Sequence, residues 1–184
     1  MPAWVWIVIA IAVVVVVGLL LLAASRRRLR SRFGPEYDRT VAERGRVGAG
    51  SELRRREKRR RELDIVPLSQ AARERYAQQW QVVQARFVDK PGDAVREADV
   101  LVTGVMRDRG YPMDNFEQQS ADISVDHSHV VENYRAAHAI SMASDQEQAT
   151  TEDLRQAMIH YRSLFDELLG ETPATGETEG RRVS

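Results

Sequence analysis

Two hydrophobic patterns divide the chain. Residues 4–24 are 21 positions without a charged side chain, whereas beyond Ser69 apolar residues return every three or four positions, the spacing of a helix with one buried stripe. A helix rises about 1.5 Å per residue, so the first run is long enough to cross a hydrocarbon layer roughly 30 Å thick. It predicts a membrane span. The start, Met1-Pro2-Ala3, is uncharged, and the run exceeds the apolar stretch of about 7 to 15 residues in a cleaved secretory signal. Trp4 and Trp6 suit an outer aromatic belt. The absence of Gly-x-x-x-Gly and of ionisable residues predicts a passive tether.

Further along, Ala72, Tyr76, Trp80, Val83 and Phe87 predict a helix behind a Ser69 cap. Ala94, Ala98, Leu101, Val102, Val105 and Met106 predict a second, capped by Asp89, opened by Pro91 and stopped by Gly110. Asp114 ahead of Phe116 marks a short capped helix closed by Ile123. Val130, Val131, Tyr134, Ala137, His138, Ile140 and Met142 predict a helix beginning near Asp126. Thr150 and Asp153 form a capping box before Leu154, Met158, Tyr161, Leu164, Phe165 and Leu168. No strand pattern of comparable strength occurs. The expected fold is all-α: an N-terminal transmembrane helix over 1–25, a charged juxtamembrane arm over 26–62, a small helical bundle over 63–170 and a disordered tail over 171–184.

The arm starts with a short helix, Pro35 at its first position and Gly45 as its stop. "RVGAGS" then interrupts it, and Ser51 caps a second helix in which Leu53 and Leu63 are the only large apolar residues. A helix that polar on all sides is expected to be solvated or to lie against charged surfaces. Charge sharpens the picture. The chain sums to zero, yet residues 26–62 hold 15 basic and 6 acidic side chains and residues 63–184 hold 12 and 21. Arg26, Arg27, Arg28, Arg30 and Arg32 follow the apolar run directly, which by the positive-inside rule puts the amino terminus outside and the body in the cytoplasm. The same five arginines are the candidates for contact with anionic lipid headgroups. A nucleic-acid surface on residues 54–61 is the alternative, weakened by the lack of stacking aromatics between Val41 and Leu63. A solvated spacer is the plainest reading of the same residues.

Chemistry is sparse. Without cysteine there is no disulfide, thiolate metal site or cysteine nucleophile. A metal sensor or enzyme would use Asp126, His127, His129 and His138, but a two-residue spacing points His127 and His129 apart on a helix. The simpler assignment has Asp126 and Ser128 capping a helix, and His138 and His160 packing at a core edge. Asp122, Asp126, Glu132 and His127 are the acid and base candidates, spread over solvated positions rather than paired against an apolar wall. No nucleophile elbow, phosphate loop or dinucleotide fingerprint occurs. No catalytic, cofactor or metal residue is assigned, and the expected partners are membrane lipids and an unidentified protein.

The stretches "RFGPEYDRTV", "LDIVPLS", "RERYAQQWQVVQARFVDKPGDAVREADVLVTGVMRDRGYP", "SVDHSHVVENYRAAHAI" and "TTEDLRQAMIHYRSLFDELL" resemble an uncharacterised family of small, largely actinobacterial membrane-anchored proteins. The resemblance covers most of the chain. It implies an N-terminal span and a helical C-terminal domain, and no catalytic residues carry over from it. "GRVGAGS" departs from the more continuous helix of such relatives.

Overall fold

The computed structural model describes residues 3–170, except for the side chains at 3, 5, 7, 8 and 10; the tail expected over 171–184 lies outside the described residues. Seven helices and no strands are present among the described residues: α1 (Ala3–Phe33), α2 (Pro35–Glu62), α3 (Gln70–Arg86), α4 (Pro91–Asp108), α5 (Phe116–Ile123), α6 (Val131–Asp145) and α7 (Thr151–Gly170). The all-α class is as expected. Among the described residues no helix is long and apolar enough to cross a membrane.

Helices α3, α4, α6 and α7 form a bundle centred on α4 and α7. The apolar stripes meet there: Val95, Ala98, Val102, Val105 and Met106 of α4 are fully buried, as are Tyr161 and Leu164 of α7. Trp80 of α3 stacks on Phe165 of α7 with ring centroids 4.7 Å apart. Met142 does not join them and is exposed.

Local signals account for most helix ends. Ser69 accepts a hydrogen bond from the Ala72 amide at 3.2 Å. Thr150 and Asp153 exchange the two bonds of a capping box, at 2.9 and 3.2 Å. At the end of α4 the Gly110 amide bonds to the Arg107 carbonyl and the Tyr111 amide to that of Met106, the paired closure that needs a left-handed residue. Gly110 supplies it with φ +95°, and a methyl group there would collide with the Asp64 carbonyl oxygen. Two caps differ from expectation. Asn115 rather than Asp114 caps α5, and α4 begins after Lys90 with no side-chain cap, Asp89 lying a residue too far out.

The arm differs more. Only Gly45 leaves helical geometry (φ 69°, ψ 168°), while Gly48 and Gly50 stay helical. Ser51 is not an N-cap: its hydroxyl donates back to the Gly48 carbonyl at 2.8 Å. The helix therefore folds back at one residue. Glu36 and Arg56 would lie about 30 Å apart on a straight helix, yet their side chains meet at 2.6 Å. The base of α1 and the two limbs of α2 enclose a second small core of Leu29, Phe33, Tyr37, Leu53 and Val125.

Two glycine substitutions separate these roles. Gly110→Ala is expected to destabilise the full chain by about 1–3 kcal/mol, since it forces a left-handed, crowded conformation on a residue with a Cβ. Gly50→Ala, in a helix where an added Cβ would meet only the guanidinium end of Arg54 at an ordinary contact of 3.6 Å, is expected to stabilise by up to about 1 kcal/mol. Thermal melts of the purified protein check both; a neutral or destabilising Gly50→Ala would restore the interrupted arm.

Candidate functional site

The charge segregation seen in the sequence closes on itself. Glu36 is 1% exposed and lies between two guanidinium groups. Arg56 donates to its Oε1 at 2.6 Å, and Arg135 of α6 donates to Oε2 at 2.6 Å and to Oε1 at 3.0 Å. Arg56 also reaches Ser124 Oγ at 3.2 Å. Around this centre Arg59 donates to both oxygens of the fully buried Asp122, at 3.1 and 3.2 Å, and to Asp114 at 2.8 Å. Arg60 pairs with Asp126, which Arg32 also approaches at 3.8 Å. Arg39 donates to Glu132 at 3.1 Å.

The second limb of α2 thus buries a face, made of Glu52, Leu53, Arg56 and Glu57. The expectation of a helix lying against charged surfaces holds; that of a solvated one does not. Periodicity of apolar residues could not reveal a face whose burial is compensated by charge pairs.

Burial raises the Glu36 pKa, but the hydrogen bonds and charges of Arg135 and Arg56 outweigh it and hold the carboxyl below its ordinary value. Asp126 and Ser128, expected to cap a helix, do other work. Asp126 takes the arginines above, Ser128 donates to the Arg32 carbonyl at 3.0 Å, and α6 begins only at Val131, after Val130 and without a side-chain cap.

The histidines separate into two places. His127 is fully buried, and its Nδ1 lies 3.4 Å from Glu167 Oε1, the same oxygen that His129 Nε2 approaches at 3.4 Å. The two converge because their segment is not helical. His138 stands elsewhere, stacked on Phe116 at 3.8 Å, with Nδ1 3.6 Å from Asp99 Oδ1. Tyr161 donates to that oxygen at 2.7 Å, and His160 is half-buried on α7. Among the described residues no group of three or more His, Cys, Asp or Glu could hold a metal ion.

Of the five arginines behind the apolar run, Arg26, Arg27, Arg28 and Arg30 are exposed, and Arg30 pairs with Asp38 at 3.4 Å. Arg32 is drawn toward the domain by Glu57 at 3.3 Å and by Asp126. Arg26, Arg27 and Arg30 share a cleft with Tyr37, Asp38, Val41 and Arg46. Arg46 was not singled out in the sequence because only the fold-back at Gly45 brings it there. Comparison with known protein families, curated proteins and solved structures gave no match to the chain.

Two measurements test the charged core. Glu36→Ala removes the carboxylate that Arg56 and Arg135 share, leaving them only Glu52 and Glu132, and is expected to cost up to about 3–5 kcal/mol, the usual result of removing one member of a buried ionic group. Arg28→Ala, outside the network, is expected to be near neutral in the same melts. The second is pH. Burial lowers the His127 pKa, ahead of the opposing pull of Glu167, so the unfolded chain binds the proton more readily. The associated stability is fully present above about pH 6.5 and falls as pH drops through the lower folded value. His127→Gln should flatten that slope. The Glu36 contribution, present above about pH 4.5, should disappear only further into acid, as pH falls through its own depressed value.

Proposed function

We propose that the chain is a single-pass, membrane-tethered helical interaction module without catalytic activity, its amino terminus outside and residues 63–170 in the cytoplasm, with the arm contacting anionic lipid. The observation that carries this reading is the uncharged run at 4–24. It continues as one helix into the arginines, and its described large apolar side chains, Leu19 to Leu22 among them, are exposed with no protein surface to cover them. Although the described part alone falls short of a span, the full sequence of the run reaches the required length.

The resemblance to small actinobacterial membrane-anchored proteins agrees with this reading. A non-catalytic role is supported by the engagement of the buried carboxylates: Glu36 and Asp122 face arginines rather than a cavity. The nucleic-acid alternative loses Arg56, Arg59 and Arg60, which are committed to partners within the chain.

Topology is the deciding experiment. A fluorescent protein fused after Ser184 in a bacterial host is expected to fluoresce in the membrane fraction, while an alkaline phosphatase fused at the same position stays inactive. Phosphatase activity would reverse the orientation, and reporters found only in the soluble fraction would remove the anchor.

A further inference from the structure

We propose that the cleft between the base of α1 and the fold-back of α2 is a binding site for a phosphate-bearing anion, the phosphodiester of an anionic lipid headgroup. The inference deepens the membrane-tethered reading and rests on it for the source of the ligand. The cleft has a volume of about 400 Å³ and is lined by Arg26, Arg27, Arg30 and Arg46, with Tyr37 and Val41 as apolar surface and Asp38 as its one acid.

What singles this place out is the accounting of charge along the arm. Arg32, Arg39, Arg44, Arg55, Arg56, Arg59, Arg60 and Arg61 each have a carboxylate partner. Of the five arm arginines without one among the described residues, Arg26, Arg27 and Arg46 line the cleft, while Arg28 stands outside it and Arg54 bonds the Ser25 hydroxyl. Arg30 is partly neutralised by Asp38, 3.4 Å away. Four guanidinium groups against one carboxylate suit a compact anion, and the forked geometry of arginine matches phosphate oxygens.

The position fits the same ligand. Arg26 lies two residues beyond the apolar run, about 3 Å along the helix axis, inside a headgroup layer some 5–7 Å deep on each side of the hydrocarbon. The first limb of α2 runs back along α1, as the Asp38 contact with Arg30 records, and the second limb returns past Ser25, whose hydroxyl accepts from Arg54 at 3.3 Å. The tip of the hairpin therefore reaches the level where the apolar run ends. Beside Arg46 at that tip, Val47 is 82% exposed, an apolar side chain turned outward where the reading puts lipid.

The test uses the full chain in non-ionic detergent micelles, titrated with short-chain phosphatidylglycerol, short-chain phosphatidylcholine and inorganic phosphate, with affinity read by calorimetry. Phosphatidylglycerol is expected to bind most tightly. Arg27→Ala and Arg46→Ala, which break no internal ion pair, should each weaken it about fivefold, and Lys90→Ala, an exposed cation of the bundle outside the cleft, should leave it unchanged. Asp38→Asn should strengthen binding by removing the one opposing charge. Inorganic phosphate binding as tightly as the lipid, with the same dependence on Arg46, would keep the anion site and assign it to a free phosphate. No preference for phosphatidylglycerol over phosphatidylcholine, or equal effects of Lys90→Ala and Arg46→Ala, would overturn the proposal while leaving the topology result intact. Conversely, soluble reporters together with Arg46-dependent phosphate binding would remove the membrane and retain the site.

Discussion

The Glu36 carboxylate, buried between Arg56 and Arg135, is the contact on which the arrangement of the molecule depends. It joins three parts of the chain that nothing local brings together: the first limb of α2, the second limb 20 residues later and α6, a further 79 residues on. A lone buried carboxylate is costly, and so is a lone buried guanidinium. Glu36 is therefore tolerable only with these guanidinium groups in place, and each of them is held there by a second carboxylate, Glu52 for Arg56 and Glu132 for Arg135. That requirement selects one docking of the arm, where apolar packing alone, limited to the five residues of the second core, would select weakly.

From that constraint the distribution of charge follows. The basic arm and the acidic domain are complementary surfaces of a single body, and their pairing reduces what either can offer to an outside partner. The residual positive charge is not spread evenly. Three of the five unpaired arginines of the arm, Arg26 and Arg27 of α1 and Arg46 at the fold-back of α2, meet in one cleft. A strongly basic segment thus becomes a local feature, about one cleft in size, instead of a general polyanion-binding surface.

The helices of the bundle were legible because their determinants are local. The four-and-three spacing in α4, the glycine required at 110 and the reciprocal bonds of Thr150 and Asp153 all act within one or two turns. The arm was legible only in part. Gly45 was identified as a stop, but the glycines at 48 and 50 were read by propensity alone. Propensity charges a glycine about 1 kcal/mol in a helix, a cost that the packing of Leu53 and the ion pairs of Glu52 and Arg56 overcome. Arg26, Arg27 and Arg30 were recognisable from their position behind the run, whereas Arg46 and the Glu36 centre were not. Their contacts span long sequence separations, and no periodic pattern announces a face buried by paired charges.

These contacts also determine what kind of tether the arm makes. Leu29 and Phe33, one turn apart on α1, are buried in the same small core as Val125, which belongs to the connection between α5 and α6. Ser128 holds the Arg32 carbonyl nearby. Neither the distance nor the rotation of α1 about its axis is then free, unlike a Gly- or Ser-rich linker that samples a random coil. In the membrane-tethered reading Arg32, which approaches Asp126 of the domain, lies eight residues below the end of the apolar run, about 12 Å by helical rise, beyond the Debye length of roughly 8 Å at physiological salt. At that distance repulsion between an acidic domain and an anionic leaflet is largely screened at physiological salt and grows only as the salt is lowered. The arm lies between the two with arginines on both sides, pairing with Asp122, Asp126 and Glu132 below and leaving Arg26, Arg27 and Arg46 above. In that reading the same segment that fixes the orientation of the domain also sets which charge faces each side.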